Sequence, residues 1–327
     1  MMAGQVHRLT PRIMDTPRSR RTAIGDVAKI AASLALSSPL AAFARMSPGD
    51  ERRRRDVADD PELARLIAWT TAVRGAHLTA FETPIGRTAA RVGELAVGTP
   101  YVANTLEEYL KAGGAVKNPE PLTLSLTRFD CVTLVESCLA VSRVARAEGA
   151  PTWDALGREV ENMRYRNGTR GDYTTRLHYF SEWISDGQRR GSVLNIGAAL
   201  GGVHDDRPLR FMTEHRASYA ALADDRVFAA IAAMERRLDA NPRRVVPTAK
   251  IAEVSDEIHT GDVLAFATSI PGLDVTHAAF AYRDPQGVLR VLHAPLSGGA
   301  VEVSTRTLPE YVAAIRRSTG VMVARPI

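Results

Sequence analysis

Val275-Thr276-His277-Ala278-Ala279-Phe280-Ala281-Tyr282 and Val288-Leu289-Arg290-Val291-Leu292-His293 are two extended, largely apolar runs separated by Arg283 and Asp284-Pro285-Gln286-Gly287. β-Branched and aromatic residues recur in both, and Asp, Pro and Gly fall where a type I turn places them, so the segment reads as a β-hairpin. The loop length decides where its two histidines point. A plain four-residue loop pairs Arg283 with Val288 and sets His277 and His293 on opposite faces. A three-residue loop, with Gly287 left-handed in a bulge, pairs Asp284 with Val288 instead. His293 then lies opposite Ala279, on the same face as His277 and diagonal to it, close enough for one imidazole to orient the other. The second register is the one predicted here.

Working outward, Asp262–Ala267 and Val301–Val303 read as further short strands, and Leu308–Arg317 as a closing helix. The chain before Pro247 is mostly helical in pattern. Asp60-Pro61 is a helix start, with Asp as N-cap and Pro in the first turn. Helices follow around Thr88–Val97 and Leu106–Lys111, and Trp153–Leu238 continues in the same vein, interrupted at Asn167-Gly168 and Gly201-Gly202. Helices first and strands later predict an α+β fold with an antiparallel sheet.

Between these halves, Thr123–Arg143 starts extended (Leu124, Leu126) and turns helical near Cys131. Val132, Leu134, Val135, Cys138, Leu139 and Val141 cover most of that helix, which makes it central and buried. Cys131 and Cys138 are the only two cysteines. Seven residues of helix set their Cα atoms about 10 Å apart, too far for a disulfide. Cys131 sits in the first helical turn, where free N–H groups and the helix dipole favour a thiolate and can hold an oxyanion. Cys138, two turns on, has neither benefit and reads as core packing. Asp130 reads as the N-cap of the helix. A thiol nucleophile needs a base, and His277, with His293 to orient it, is the natural partner.

The 327 residues are 45% hydrophobic and 24% charged, which excludes a disordered tail, a coiled coil, a collagen-like fibre and a polytopic membrane protein. The excess of base is concentrated in residues 1–44, where six Lys and Arg face two Asp; the remainder holds 36 basic against 35 acidic residues. That distribution removes the case for nucleic-acid binding. Ser19-Arg20-Arg21, the weakly apolar run Ile30–Phe43 and Ala42-Phe43-Ala44 have the order of an export signal, with paired arginines similar to a twin-arginine signal. The run is too short and too rich in Ala and Ser for stable membrane insertion. The expected mature protein starts near Arg45, is periplasmic, and has met the export machinery.

Gly98-Thr99-Pro100-Tyr101, Phe129-Asp130-Cys131, Gly261-Asp262-Val263, Thr276-His277-Ala278 and Leu292-His293-Ala294 follow the motif order of NlpC-type, papain-like cell-wall cysteine peptidases. The longer match, through Leu126–Glu136, Tyr165-Arg166-Asn167-Gly168, Arg176-Leu177-His178-Tyr179-Phe180 and Phe211-Met212-Thr213-Glu214-His215, resembles their N-acetylmuramoyl-L-alanine amidase-like relatives. The residues read above give an export signal over 1–44 and a linker and N-terminal helix over 45–84, and the resemblance implies a papain-like catalytic domain over 85–327. In that domain the nucleophile helix packs on a small antiparallel sheet, with a helical insertion at about 150–245. It also implies a peptidoglycan or muropeptide substrate, Cys131 as nucleophile, His277 as base, His293 as the orienting group, and Tyr101 beside the nucleophile. The stretch between Tyr101 and Cys131 is longer than in those peptidases. Arg166, Arg176 and His178 are expected to meet stem-peptide carboxylates, for which the arginine fork is suited, with a surface salt-bridge network as the other reading of Arg166. Asp130 joins them as a substrate-side residue, and His215 is either structural or part of the groove. No cofactor is needed. The alternatives are an endopeptidase cutting within the stem, a zinc amidase using His178, His277 and His293, an acyltransferase with the same thiol, and a cell-wall binding module without turnover. Against zinc, the sequence has no HExxH pair.

Overall fold

The computed structural model describes residues 60–241, 243–296 and 299–327; the expected export signal and most of the expected linker lie outside the described residues. Nine α-helices are found among them: α1 (Pro61–Gly75), α2 (Ile85–Leu95), α3 (Glu108–Lys111), α4 (Cys131–Arg146), α5 (Trp153–Arg164), α6 (Phe180–Arg189), α7 (Phe211–Glu214), α8 (Asp225–Leu238) and α9 (Leu308–Ala314). The strands are β1 (Val193–Asn195), β2 (Val203–Asp205), β3 (Arg243–Pro247), β4 (Val263–Thr268), β5 (Val275–Arg283), β6 (Leu289–His293), β7 (Glu302–Val303) and β8 (Ser318–Pro326). The chain thus combines helices with an antiparallel sheet, as the α+β reading expects. The strand order is β2-β3-β8-β4-β5-β6-β7, with β1 also paired to β8, and every one of these pairings is antiparallel.

Side chains alternate across the strands and build two apolar layers. Val263, Ala265, Ala278, Phe280, Met322 and Ala324 face a core shared with Leu134, Val135 and Leu139 of α4, Leu66 and Trp69 of α1, and Val92 of α2. Leu264, Phe266, Ala279, Val291, Val321 and Val323 face the opposite layer, closed by Leu308 and Val312 of α9. Helix α4 is enclosed on nearly every side, which is why its apolar residues cover its whole surface. Helix α1 begins as expected, with the Asp60 carboxylate accepting from the N–H groups of Glu62 and Leu63 and Pro61 in the first turn.

Four strands lie where the sequence pattern suggested otherwise, among them β3 at the end of the stretch read as helical. β1 and β2 interrupt the helical stretch, each only three residues long and too short to show a period of two. β8 corrects the closing helix: α9 ends at Ala314, and the chain returns through the middle of the sheet between β3 and β4. Its Ser318-Thr319-Gly320 start hides the strand, yet Gly320 is where the backbone of Val246 comes close, a Cβ there lying 2.0 Å from the Val246 carbonyl oxygen.

Candidate active site

The β5–β6 hairpin has the predicted register. Phe280 pairs with Leu292 and Arg283 with Leu289, Gly287 has φ +81°, and the Asp284 N–H donates to the Val288 carbonyl at 3.0 Å. His277 and His293 therefore share a face, and His277 Nε2 and His293 Nδ1 are 2.8 Å apart. A second irregularity aims the first ring: opposite β4, Phe266 pairs with His277 and Ala267 with Val275, so Thr276 is an extra residue bulged out beside the histidine. Phe266 stacks on the His277 ring at 5.6 Å between centroids. Tyr311 of α9 stands edge-on to His293 at 5.0 Å, with its hydroxyl 3.3 Å from Nδ1. Neither aromatic was singled out from the sequence. Phe266 carries no signal beyond its place in an apolar strand, and Tyr311 sits in a short helix whose facing surface only the fold reveals.

Cys131 is the first residue of α4. The helix is opened by a capping box in which the Asp130 carboxylate accepts the Thr133 N–H at 2.8 Å and Thr133 Oγ1 accepts the Asp130 N–H at 2.9 Å. The second Asp130 oxygen accepts from the Thr105 hydroxyl at 3.1 Å. Cys131 and His277 line one cavity of about 160 Å³, together with Val132, His178, Trp183 and Leu273 among others. A second cavity of about 220 Å³ shares Val132, Leu177, His178 and Leu273 with it and runs on past Asp130, Glu107 and Arg176. A larger cavity, about 420 Å³, is lined by Lys117, Asp172, Asp224 and Arg226 among others, with no Cys or His in its lining.

The electrostatics correct one expectation. The N–H groups of Ala278, Val132 and Cys131 face the sulfur and pull its pKa down, as a helix N-terminus should. Burial first and the Asp130 charge second outweigh them and push the thiol up to about 12. Burial, then the neighbouring His293, holds His277 down to about 3, and burial alone holds His293 down to about 4. At neutral pH the resting site is a thiol facing neutral rings, not a preformed ion pair. Cys138 is also free, fully buried, and pushed up by burial alone.

The remaining expected residues separate. The Tyr101 N–H donates to the Gly299 carbonyl and the Val102 N–H to the Phe129 carbonyl, which seats the half-buried Tyr101 near Cys131; burial, then the Cys131 and Asp130 charges, raise its pKa. Arg176 lines the second cavity but is buried, with its guanidinium hydrogen-bonded to Glu107 and to the Leu106 carbonyl, 3.4 Å from Glu120, and stacked over the Tyr173 ring. This replaces the expected substrate fork: the charge is already balanced inside the protein. Arg166 lines neither cavity and is spent on a two-point pair with Glu182 at 2.7 and 3.1 Å. His178 lies on the wall common to both cavities. Its Nε2 donates to the Tyr173 carbonyl at 2.8 Å, and burial and Arg176 hold its pKa well below the ordinary value. His178 is therefore neutral and not a partner for a carboxylate. His215 is exposed, bonded to the Phe211 carbonyl and stacked on the Phe211 ring. No group of three His, Cys, Asp or Glu side chains able to hold a metal is found among the described residues, so His178, His277 and His293 do not fit a zinc site.

Residues 91–321, well over half of the chain, match the family model described as N-acetylmuramoyl-L-alanine amidase-like. The chain belongs to that family. Among solved structures, this amidase-like protein is similar to an N-acetylmuramoyl-L-alanine amidase from Bacteroides uniformis at 30% identity and a TM-score of 0.67, covering 74% of this chain and 98% of that one. A putative xylanase from Bacteroides fragilis gives 29% identity and 0.61, with 71% and 98% covered. A Legionella pneumophila protein at 17% identity and 0.56, covering 79% and 94%, shares the fold alone. No curated protein matches the amidase-like chain.

Proposed function

We propose that this protein is a cysteine hydrolase of peptidoglycan amide bonds on an NlpC-type, papain-like fold, acting as an N-acetylmuramoyl-L-alanine amidase. The observation that carries the reading is a thiol at a helix N-terminus sharing one cleft with His277, whose ring is hydrogen-bonded to the buried His293. The His277 Nε2 contact to His293 leaves Nδ1 as the free lone pair of the base. As Cys131 Sγ attacks the amide carbonyl, its proton passes to His277, and backbone N–H groups at the start of α4 stabilise the oxyanion. His277 then protonates the leaving amine, and the thioester remains. Water, deprotonated by the same ring, attacks the thioester and restores the thiol. Because the resting thiol is held high and the ring low, proton transfer accompanies attack instead of preceding it.

The substrate places the enzyme outside the cytoplasm, in keeping with the export signal read at residues 1–44, and no helix among the described residues is long and apolar enough to cross a membrane. A cut within the stem peptide would use the same three residues, and mass spectrometry of muropeptide products separates the two bonds. Incubation with purified sacculi tests the reading: the intact protein releases stem peptides and Cys131→Ala releases none while keeping its fold. Turnover by Cys131→Ala would refute it.

A further inference from the structure

The ring pair makes a demand that three residues do not meet. For His277 Nδ1 to take the thiol proton, its Nε2 must carry hydrogen and donate to His293 Nδ1. His293 must then carry its own proton on Nε2. In the opposite arrangement His293 Nδ1–H donates to His277 Nε2, His277 carries hydrogen on Nδ1, and the base is disabled. Which tautomer forms depends on what stands beside His293 Nε2. That atom is buried and has no hydrogen-bond partner. The pairing of β6 with β7 sets Glu302 directly across from His293, and its Oε1 lies 3.6 Å from Nε2. The Glu302 side chain is half-exposed, and its carboxylate makes no other hydrogen bond or ion pair among the described residues. A buried donor without an acceptor is costly, and an acceptor one small rotation away is the natural remedy.

We propose that Glu302 is a positioning residue of this active site: its carboxylate accepts the His293 Nε2–H, fixes the working tautomer of the ring pair, and stabilises the positive charge that His277 gains as Cys131 attacks. The inference rests on the Cys131–His277–His293 reading above. The other charged or titratable groups around His293 are His277 from β5, Tyr311 of α9, Arg306 just before α9, and Cys131 of α4, the last two acting through Tyr311. Glu302 is the carboxylate among them.

The test uses the full chain with Glu302→Ala and Glu302→Gln, each also in a Cys138→Ala background so that one thiol is left to label. Two readouts are taken: kcat and KM on a purified muropeptide across pH, and the rate of Cys131 alkylation by iodoacetamide across pH. Losing the charge makes the ring pair harder to protonate. The acid limb of kcat therefore moves to lower pH, and thiolate formation beside the neutral rings, relieved of a nearby negative charge, also moves to lower pH, each by about half a unit for a partly exposed carboxylate. For Glu302→Ala, kcat falls about three- to tenfold at neutral pH with KM unchanged. Glu302→Gln shows both pH shifts but keeps more of kcat, because its amide oxygen still accepts the Nε2–H. A merely structural role for Glu302 would move neither pH midpoint. Unshifted midpoints and unchanged kcat in Glu302→Ala would overturn the proposal. Alkylation needs no substrate, so shifted labelling without muropeptide turnover by the intact protein supports the relay and refutes the amidase reading instead.

Discussion

Acidification from pH 7 to pH 5 is expected to destabilise this protein through its enclosed histidines. His178, His277 and His293 are held neutral in the fold, with His277 down to about 3 and His293 down to about 4, while each ring in the unfolded chain titrates near its ordinary value of 6.5. The folded pKa values are lowered, so the unfolded chain binds more protons in this window. Stability is therefore complete above pH 6.5 and is lost as the pH falls toward the folded values. At pH 5, one and a half units below the unfolded value, a ring that stays neutral costs about 2 kcal/mol. His293, fully buried, then removes about 2 kcal/mol, a sizeable part of the 5–15 kcal/mol typical of a domain, and His277 and His178 act in the same direction. Asp205, held down to about 2 chiefly by its bonds to Arg207 and Arg243 against the cost of burial, responds only below this window. Glu136 and Asp274, raised by burial, respond in the opposite sense and blunt the total. The clean measurement is therefore a difference. Urea unfolding of the intact protein and of His178→Gln at pH 7 and pH 5 should show the stability gap between them shrinking on acidification. Parallel curves would refute the claim that His178 is buried as a neutral ring.

Gly261 has φ +91°, and a Cβ there would fall 2.0 Å from the backbone of Gly86 in α2. Gly261→Ala is expected to cost more than about 3 kcal/mol, combining left-handed strain with a backbone clash, and a loss below about 1 kcal/mol in urea unfolding would contradict the contact. Arg176→Ala leaves Glu107 and Glu120 without their cation; a loss of about 3–5 kcal/mol in the same assay is expected. The intact protein's KM should also not discriminate between stems with free and amidated carboxyls, as it would if Arg176 read the substrate. Cys138→Ala should cost about 1–2 kcal/mol for a small buried deletion and leave peptide release from sacculi unchanged; lost release would give Cys138 a chemical role.

The hairpin and the helix that Cys131 opens were legible because each is fixed locally. Gly287 sets the hairpin register, and Asp130 with Thr133 starts α4. The order of helices and strands likewise gave the α+β class. What stayed hidden depends on tertiary context. β8 begins with Ser318-Thr319-Gly320, and only its neighbours β3 and β4 make it central. Arg166 and Arg176 looked like substrate readers because arginine suits carboxylates, but the carboxylates they meet are Glu182, Glu107 and Glu120 of the protein itself. The thiolate expected at Cys131 failed as a balance of opposing effects: the N–H groups are in place, and burial outweighs them.

The most direct test of the account is peptide release from purified sacculi by the intact protein with and without prior alkylation of Cys131, beside Cys131→Ala. The account predicts that alkylation and substitution each abolish release while the fold persists. Release that survives either one would contradict it.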